Sequence, residues 1–221
     1  MNLSYSLPTL DISNLREECL ADTGLKLSKD FVNDVLDYEL LCEWELKKFA
    51  HREYGESRDW GNKNAIDPNS LDTRTIVRQK QSSLKQEMWM GNIGRVEERA
   101  NKVSEALFQL LGDNSKYFTR IFLLKFNSDQ GFIPHKDGGG YSRLYIPIYP
   151  FGEDYARLEF YYNNDIYYLY NYISPPPVYL FNSQAIHAVF NQGYPPRVNL
   201  QVNCMLPYKE ALELFSENIS K

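Results

Sequence analysis

His135 and Asp137 stand two residues apart in "FIPHKDGGGYSRLYIPI" (132–148), in a chain with three histidines in all. On a strand, residues i and i+2 face the same way, so the pair can aim an imidazole and a carboxylate at one point. Alone, a His-x-Asp pair is a common coincidence where 24% of residues are charged. It gains meaning from His187, fifty residues after Asp137 in "YLFNSQAIHAVFNQGYPPRVNLQV", and from Arg197, ten residues further on. By itself, His187 sits in an apolar run and reads as a hydrogen-bonded core residue. The tight reversal "QGYPP", however, predicts that Arg197 opens a strand returning beside His187, roughly one strand spacing of ~4.8 Å away. A guanidinium near a metal ligand calls for an anion. Two histidines and one carboxylate on one face of a metal leave three positions open, the arrangement suited to non-haem Fe(II) and O2. An arginine at fixed reach can then grip the far carboxylate of a dicarboxylic cosubstrate through both arms of its fork.

The elements that must position these residues are strands. From Tyr117 onward, short β-type runs ("YFTRIFLLKF", "SRLYIPIYP", "RLEFYY", "IYYLYNYI", "VYLFN", "AIHAVFN", "RVNLQVNCML") are separated by turn clusters too short to hold a crossover helix. Consecutive strands without helical crossovers predict an antiparallel double sheet, a jelly roll, with helices packed outside it. Before Tyr117 the chain reads as helical. Phe31, Val35, Leu36, Leu40, Leu41, Trp44, Leu46 and Phe49 recur at helical intervals after Ser28, an expected N-cap. A second helix is expected from about Arg95 to Leu111, ended by Gly112. Between them "HREYGESRDWGNKNAIDPNSLD" is a long loop by its Gly, Asn, Asp and Pro content, and "PYKEALELFSENISK" predicts a closing helix. The division expected is a helical, loop-containing region over 1–112 that supports the barrel, a jelly-roll core over 113–206 and a C-terminal helix over 207–221.

The spaced set His135-x-Asp137, His187, Arg197 resembles that of the Fe(II)/2-oxoglutarate-dependent dioxygenases. Its local context is most similar to the aspartyl/asparaginyl β-hydroxylase and proline hydroxylase-like branch. There a first-histidine motif is followed by an arginine and a strand like "RLYIPI" (143–148), and a strand like Val178 to His187 leads to the second histidine. The resemblance covers roughly residues 117–206. One departure is Asp137 itself, an acidic ligand that vertebrate-type aspartyl hydroxylases lack, and it argues against Asp or Asn in a growth-factor-like domain as substrate. The resemblance implies a double-stranded β-helix in which His135, Asp137 and His187 hold Fe(II). It implies that Arg197 pairs the distal carboxylate of 2-oxoglutarate, with Arg143 a further contact to cosubstrate or substrate, and that O2 is the oxidant. The implied activity is hydroxylation of an amino-acid or peptidyl side chain or a similar small substrate, with release of succinate and CO2.

Composition narrows the alternatives. With 221 residues, 43% of them hydrophobic, the chain is long enough for a well-cored globular domain. Its net charge of -5 gives no broad field for a polyanion, and nucleic acid is not an expected partner. The nucleic-acid demethylases of the same superfamily carry a pair of arginines six residues apart on the last strand; here Asn203 stands at that offset from Arg197. The other alternative is a cupin-like jelly roll that binds a metal or small ligand without turnover. Seventeen tyrosines, concentrated in the second half, suit β-structure and amphipathic pocket walls. No apolar stretch approaches a membrane span, and the first residues form no secretory leader. Three scattered cysteines form neither a disulfide framework nor a zinc knuckle, and a cytoplasmic location is expected.

Overall fold

The computed structural model describes residues 18–48, 85, 87–137, 142–148, 156–162, 165–169, 176–191 and 196–219. Eleven strands are present among them: β1 (Leu20–Asp22), β2 (Trp44–Lys48), β3 (Glu87–Arg95), β4 (Phe118–Phe126), β5 (Gln130–His135), β6 (Ser142–Pro147), β7 (Ala156–Tyr162), β8 (Asp165–Leu169), β9 (Tyr179–Asn182), β10 (His187–Asn191) and β11 (Arg197–Cys204). Four α-helices accompany them: α1 (Lys29–Leu41), α2 (Lys102–Leu111), α3 (Tyr208–Glu213) and α4 (Ser216–Ile219).

The strands form a seven-stranded sheet in the order β1-β9-β6-β11-β4-β3-β2 and a four-stranded sheet in the order β5-β10-β7-β8. All ladders are antiparallel. From β4 to β11 the chain shuttles between the two sheets, which is the jelly-roll topology expected from the run of short strands.

Strict alternation splits the large sheet into two faces. On β11, Val198, Leu200, Val202 and Cys204 turn outward into a core shared with Ile121 and Leu123 of β4 and with the helices. The opposite face of β4, Phe122, Leu124 and Phe126, joins Tyr145, Leu158, Phe160, Tyr179, Phe181 and Val189 in a second core between the sheets. The helices are held against the outward face by their apolar stripes. In α2 these are Val103, Leu107 and Leu111, each contributing about 1.5–3 kcal/mol when fully buried.

The helix signals hold at their punctuation and differ in extent. Ser28 does cap α1, its Oγ accepting from the Phe31 N–H at 3.0 Å, but α1 ends at Leu41. Leu40 and Leu41 are exposed, and Trp44 and Leu46 lie on β2 instead of continuing the helical stripe. Gly112 ends α2 with φ 54°, whereas α2 begins only at Lys102. There Asn101 builds a reciprocal capping box with Ser104; Arg95 is the last residue of strand β3, and a turn separates the two. The expected closing helix is two short helices, α3 and α4. Gly91 of β3 lies close to the end of α1: a Cβ there would meet Cys42 Sγ, which would have to turn away. His51, the loop after it and Gly138 to Gly140 lie outside the described residues.

Candidate metal centre and its surroundings

The two histidines come together by strand register. β10 lies between β5 and β7, with His187 directly opposite His135 on one side and Phe160 on the other. Their rings are 4.3 Å apart, centroid to centroid. Asp137, just past β5, is tied to the turn before β10: its N–H donates to the Ser183 carbonyl at 2.9 Å, and Gln184 Nε2 donates to its carbonyl. The result is a cluster in which one ligand atom from each of His135, Asp137 and His187 lies within 4.8 Å of the others. His135 Nε2 is 3.5 Å from Asp137 Oδ1, and His187 Nε2 is 4.0 Å from Oδ2.

The protonation states suit cation binding. His187 Nδ1 lies 2.9 Å from the Ala185 carbonyl; a carbonyl only accepts, so Nδ1 carries the proton and Nε2 presents its lone pair toward Asp137. Burial, followed by repulsion from His135, holds the His187 pKa down at about 3, against the opposing pull of Asp137 and the Ala185 bond. The imidazole is therefore neutral at pH 7. For Asp137, burial pushes the pKa up. The hydrogen bond from His135 and the electrostatic pull of the basic groups around it, His187 ahead of Arg143, outweigh it, holding the carboxyl well below its usual range. Two imidazoles and one ionised carboxylate are the donor set expected of a divalent first-row metal such as Fe(II).

Arg143 is at the centre. It shares the inward face of β6 with Tyr145, and its Nη1 is 3.0 Å from Asp137 Oδ2 and donates to Gln201 Oε1 at 3.0 Å. Its ion pair is made with a member of the cluster, not with a surface acid.

Arg197 is not beside His187. The chain crosses between sheets after β10, and β11 pairs with β4 and β6, placing Arg197 opposite Phe126. The expectation of a strand returning one spacing away is corrected: "QGYPP" joins strands of opposite sheets. Arg197 nonetheless points between them. It is fully buried, donates through Nη2 to the Tyr145 hydroxyl, and holds its guanidinium carbon 5.6 Å from the Phe126 ring centre. Burial lowers its pKa and raises that of Tyr145, each partly offset by the other. Two chains of aromatic contacts connect this end of the interior to the cluster. Phe126 packs edge-on to Phe132, which packs against His135; Tyr145 packs against Phe181, which stacks edge-on to His187.

Residues not anticipated from the sequence complete the floor. Asn199 and Gln201 are buried on the inward face of β11, and Gln201 Nε2 donates to Asn199 Oδ1 at 3.1 Å. The signal was available in "RVNLQVN", where every second residue is polar although the strand is apolar on its other face.

No family model matches the sequence, and no curated protein matches it. Among solved structures, the chain is similar to an oxidoreductase of the 2OG-Fe(II) oxygenase family from Burkholderia pseudomallei. The TM-score is 0.55 at 10% identity, over 92% of this chain and 97% of that one. It is also similar to a prolyl hydroxylase from Trichoplax adhaerens in complex with a hypoxia inducible factor oxygen degradation domain peptide fragment (TM-score 0.43, 15% identity, 85% and 93% covered). A Pseudomonas putida prolyl-4-hydroxylase aligns with TM-score 0.42 at 10% identity, over 79% of this chain and 98% of that one. The fold is thus the jelly roll found in the 2OG-Fe(II) oxygenases, likeness to the first of these structures extending over nearly all of both chains.

Proposed function

We propose that this protein is an Fe(II)- and 2-oxoglutarate-dependent dioxygenase that hydroxylates an amino-acid or peptidyl side chain or a similar small substrate, releasing succinate and CO2. The observation that carries the reading is the convergence of His135, Asp137 and His187, with the His187 tautomer set by Ala185 so that Nε2 is available. These three residues would hold the iron, which when bound supplies O2 activation and a chelation site for the cosubstrate. Arg197, buried between the sheets beside Tyr145, is assigned to the distal carboxylate of 2-oxoglutarate, where a guanidinium fork gives two charge-assisted bonds. Arg143 faces the cluster and is the second cationic group available to cosubstrate or substrate. Phe132 and Phe181 pack against His135 and His187 and line the inner side of the site with apolar surface.

Within the superfamily we assign the chain to the aspartyl/asparaginyl β-hydroxylase and proline hydroxylase-like branch, on the "RLYIPI" strand and the segment from Val178 to His187. A small molecule or peptide is the proposed partner, because the net charge of -5 disfavours nucleic acid. Cys19, Cys42 and Cys204 are all free thiols, which supports a cytoplasmic location. No helix among the described residues is long and apolar enough to cross a membrane.

The test is succinate formation from 2-oxoglutarate with Fe(II) and O2, screened with free amino acids against a peptide library. Turnover that needs all three components and disappears in His135→Ala is the expected result. Stoichiometric metal binding with no succinate formed under any condition would instead favour a cupin-like binding protein.

A further inference from the structure

Past the cluster, the inward face of the large sheet continues onto β4 and β3 and carries two more arginines. Ile121 of β4 and Val96, just beyond β3, belong to the outward core, so their chain neighbours Arg120 and Arg95 turn to the opposite side. The ladder sets these two arginines directly opposite each other. Like charges so placed destabilise a strand pair, and among the described residues neither has an acidic partner. Arg120 is nevertheless held in place. Its Nε donates to Asn92 Oδ1 at 3.2 Å, and its guanidinium carbon is 5.7 Å from the Phe122 ring centre. With Nε engaged, both Nη groups are left for a ligand. Arg143 lies at the same 5.7 Å from that ring, so a single side chain is shared by the arginine at the cluster and by this pair. Two exposed guanidinium groups that face each other with no carboxylate between them form an anion receptor.

We infer that Arg95 and Arg120 bind a carboxylate of the substrate, and that the substrate is an extended peptide, not a free amino acid. Arg143 marks the reacting end, its Nη1 3.0 Å from Asp137 Oδ2. It stands opposite Asn203, whose neighbours Val202 and Cys204 face Ile121 and Phe118, so Arg143 and Arg120 share a row across the sheet. In the order β6-β11-β4-β3, Arg120 is two strand spacings from Arg143, roughly 10 Å, and Arg95 three, roughly 14 Å. An extended chain advances about 3.3–3.6 Å per residue, which places the carboxylate about three or four residues from the one that reacts. A free amino acid at the cluster ends well short of the pair. Beyond Arg120 the strip opens into a cavity of about 310 Å³ lined also by Glu43, Trp44, Glu45, Met90 and Asn92, which gives the chain room to continue. Its two glutamates repel an acidic run, so the site takes one carboxylate, from an Asp or Glu side chain or from a chain end. The inference rests on the reading of the cluster as the reacting centre and deepens it by naming the class of substrate.

Retention of peptides on the immobilised full chain tests the site without turnover. One pool holds short amidated peptides with a single glutamate and no other charge; a second has glutamine in its place. The glutamate pool should be retained roughly tenfold better, the effect of one charge-assisted hydrogen bond, and the preference should shrink as salt rises. Arg95→Met and Arg120→Met should each remove most of it, whereas Arg120→Lys, which keeps the charge without the fork, should keep part. Both methionine variants should melt at or above the wild-type temperature, because each relieves a repulsion. The glutamine pool with a free C-terminus separates the two sources of the carboxylate, retention at the level of the glutamate pool assigning the site to a chain end.

Retained peptides are then supplied with Fe(II), 2-oxoglutarate and O2, and succinate formed with them but not with free amino acids is the expected result. A wild type that retains both amidated pools equally, or neither, overturns the inference and leaves the dioxygenase reading standing. So does a glutamate preference unchanged in Arg95→Met and Arg120→Met, or one lost only together with a lowered melting temperature in both. Arginine-dependent retention with no succinate formed would instead sink the dioxygenase reading and take the substrate assignment with it.

Discussion

Replacing Arg197 by methionine removes a charge and keeps much of the stem. Arg197 has no exposed surface, so whatever anion it binds is held in a low-dielectric interior where competing water is excluded. A charge-assisted hydrogen bond there contributes on the order of 1.5–3 kcal/mol, and a fork can supply two. Even the lower figure for a single bond predicts that 2-oxoglutarate binds Arg197→Met at least about tenfold more weakly, and loss of the full pair brings the effect to a hundredfold or more, since 1.4 kcal/mol is a factor of ten. The series should grade. Arg197→Lys keeps the charge without the fork and falls between, and Tyr145→Phe, which removes the hydroxyl that receives Nη2, should cost only a few-fold. Calorimetric titration of 2-oxoglutarate into anaerobic Fe(II)-loaded protein measures all four, with Fe(II) affinity as the control that the cluster is intact. Equal dissociation constants for wild type and Arg197→Met would refute the assignment and turn attention to Arg143.

Three further outcomes follow from the packing. His135→Ala and His187→Ala should each lose stoichiometric Fe(II) binding while keeping the wild-type circular dichroism spectrum; Fe(II) at a hundredfold excess over its dissociation constant should stabilise the wild type by about 2.7 kcal/mol and neither variant. Gly91→Ala should destabilise the fold by roughly 1–3 kcal/mol through overpacking, because the new methyl meets Cys42 Sγ. Adding Cys42→Ala should recover most of that loss, and a urea-denaturation cycle showing simple additivity would contradict the contact. Asn101→Ala, which breaks the capping box of α2, should cost about 1 kcal/mol in the same assay, and no change would mean that the cap is replaced by solvent.

What the sequence made legible was what is written locally. The alternation in "RVNLQVNC" and the turn clusters announce strands and their faces, and Ser28 and Gly112 mark helix ends through backbone groups a few residues away. β3 was not legible, because "EMWMGNIGR" carries two glycines and no clean period, and its pairing with β4 is decided by residues some thirty positions later. The partner of β11 was equally hidden. A five-residue reversal reads as a hairpin, and only the pairing of Arg197 with Phe126, far back in the chain, sends the strand to the other sheet. The cluster could be read because its spacing is a property of the chain, whereas the hydrogen bonds that join Asn199, Gln201 and Arg143 depend on which strand lies next to β6.

The pairing of β3 along β4 has a bearing on how the chain can be divided. From Trp89 opposite Lys125 to Arg95 opposite Arg120, β3 occupies the flank of a strand whose other side is taken by β11. A fragment beginning at residue 113 would keep every strand of the jelly roll and still leave β4 with a row of bare amides and carbonyls beside Leu124 and Phe126. Such a flank recruits the same flank of another molecule. The short fragment would therefore tend toward edge-to-edge association and poor solubility, and a protease that cuts ahead of β4 would release aggregating material in place of a smaller active core.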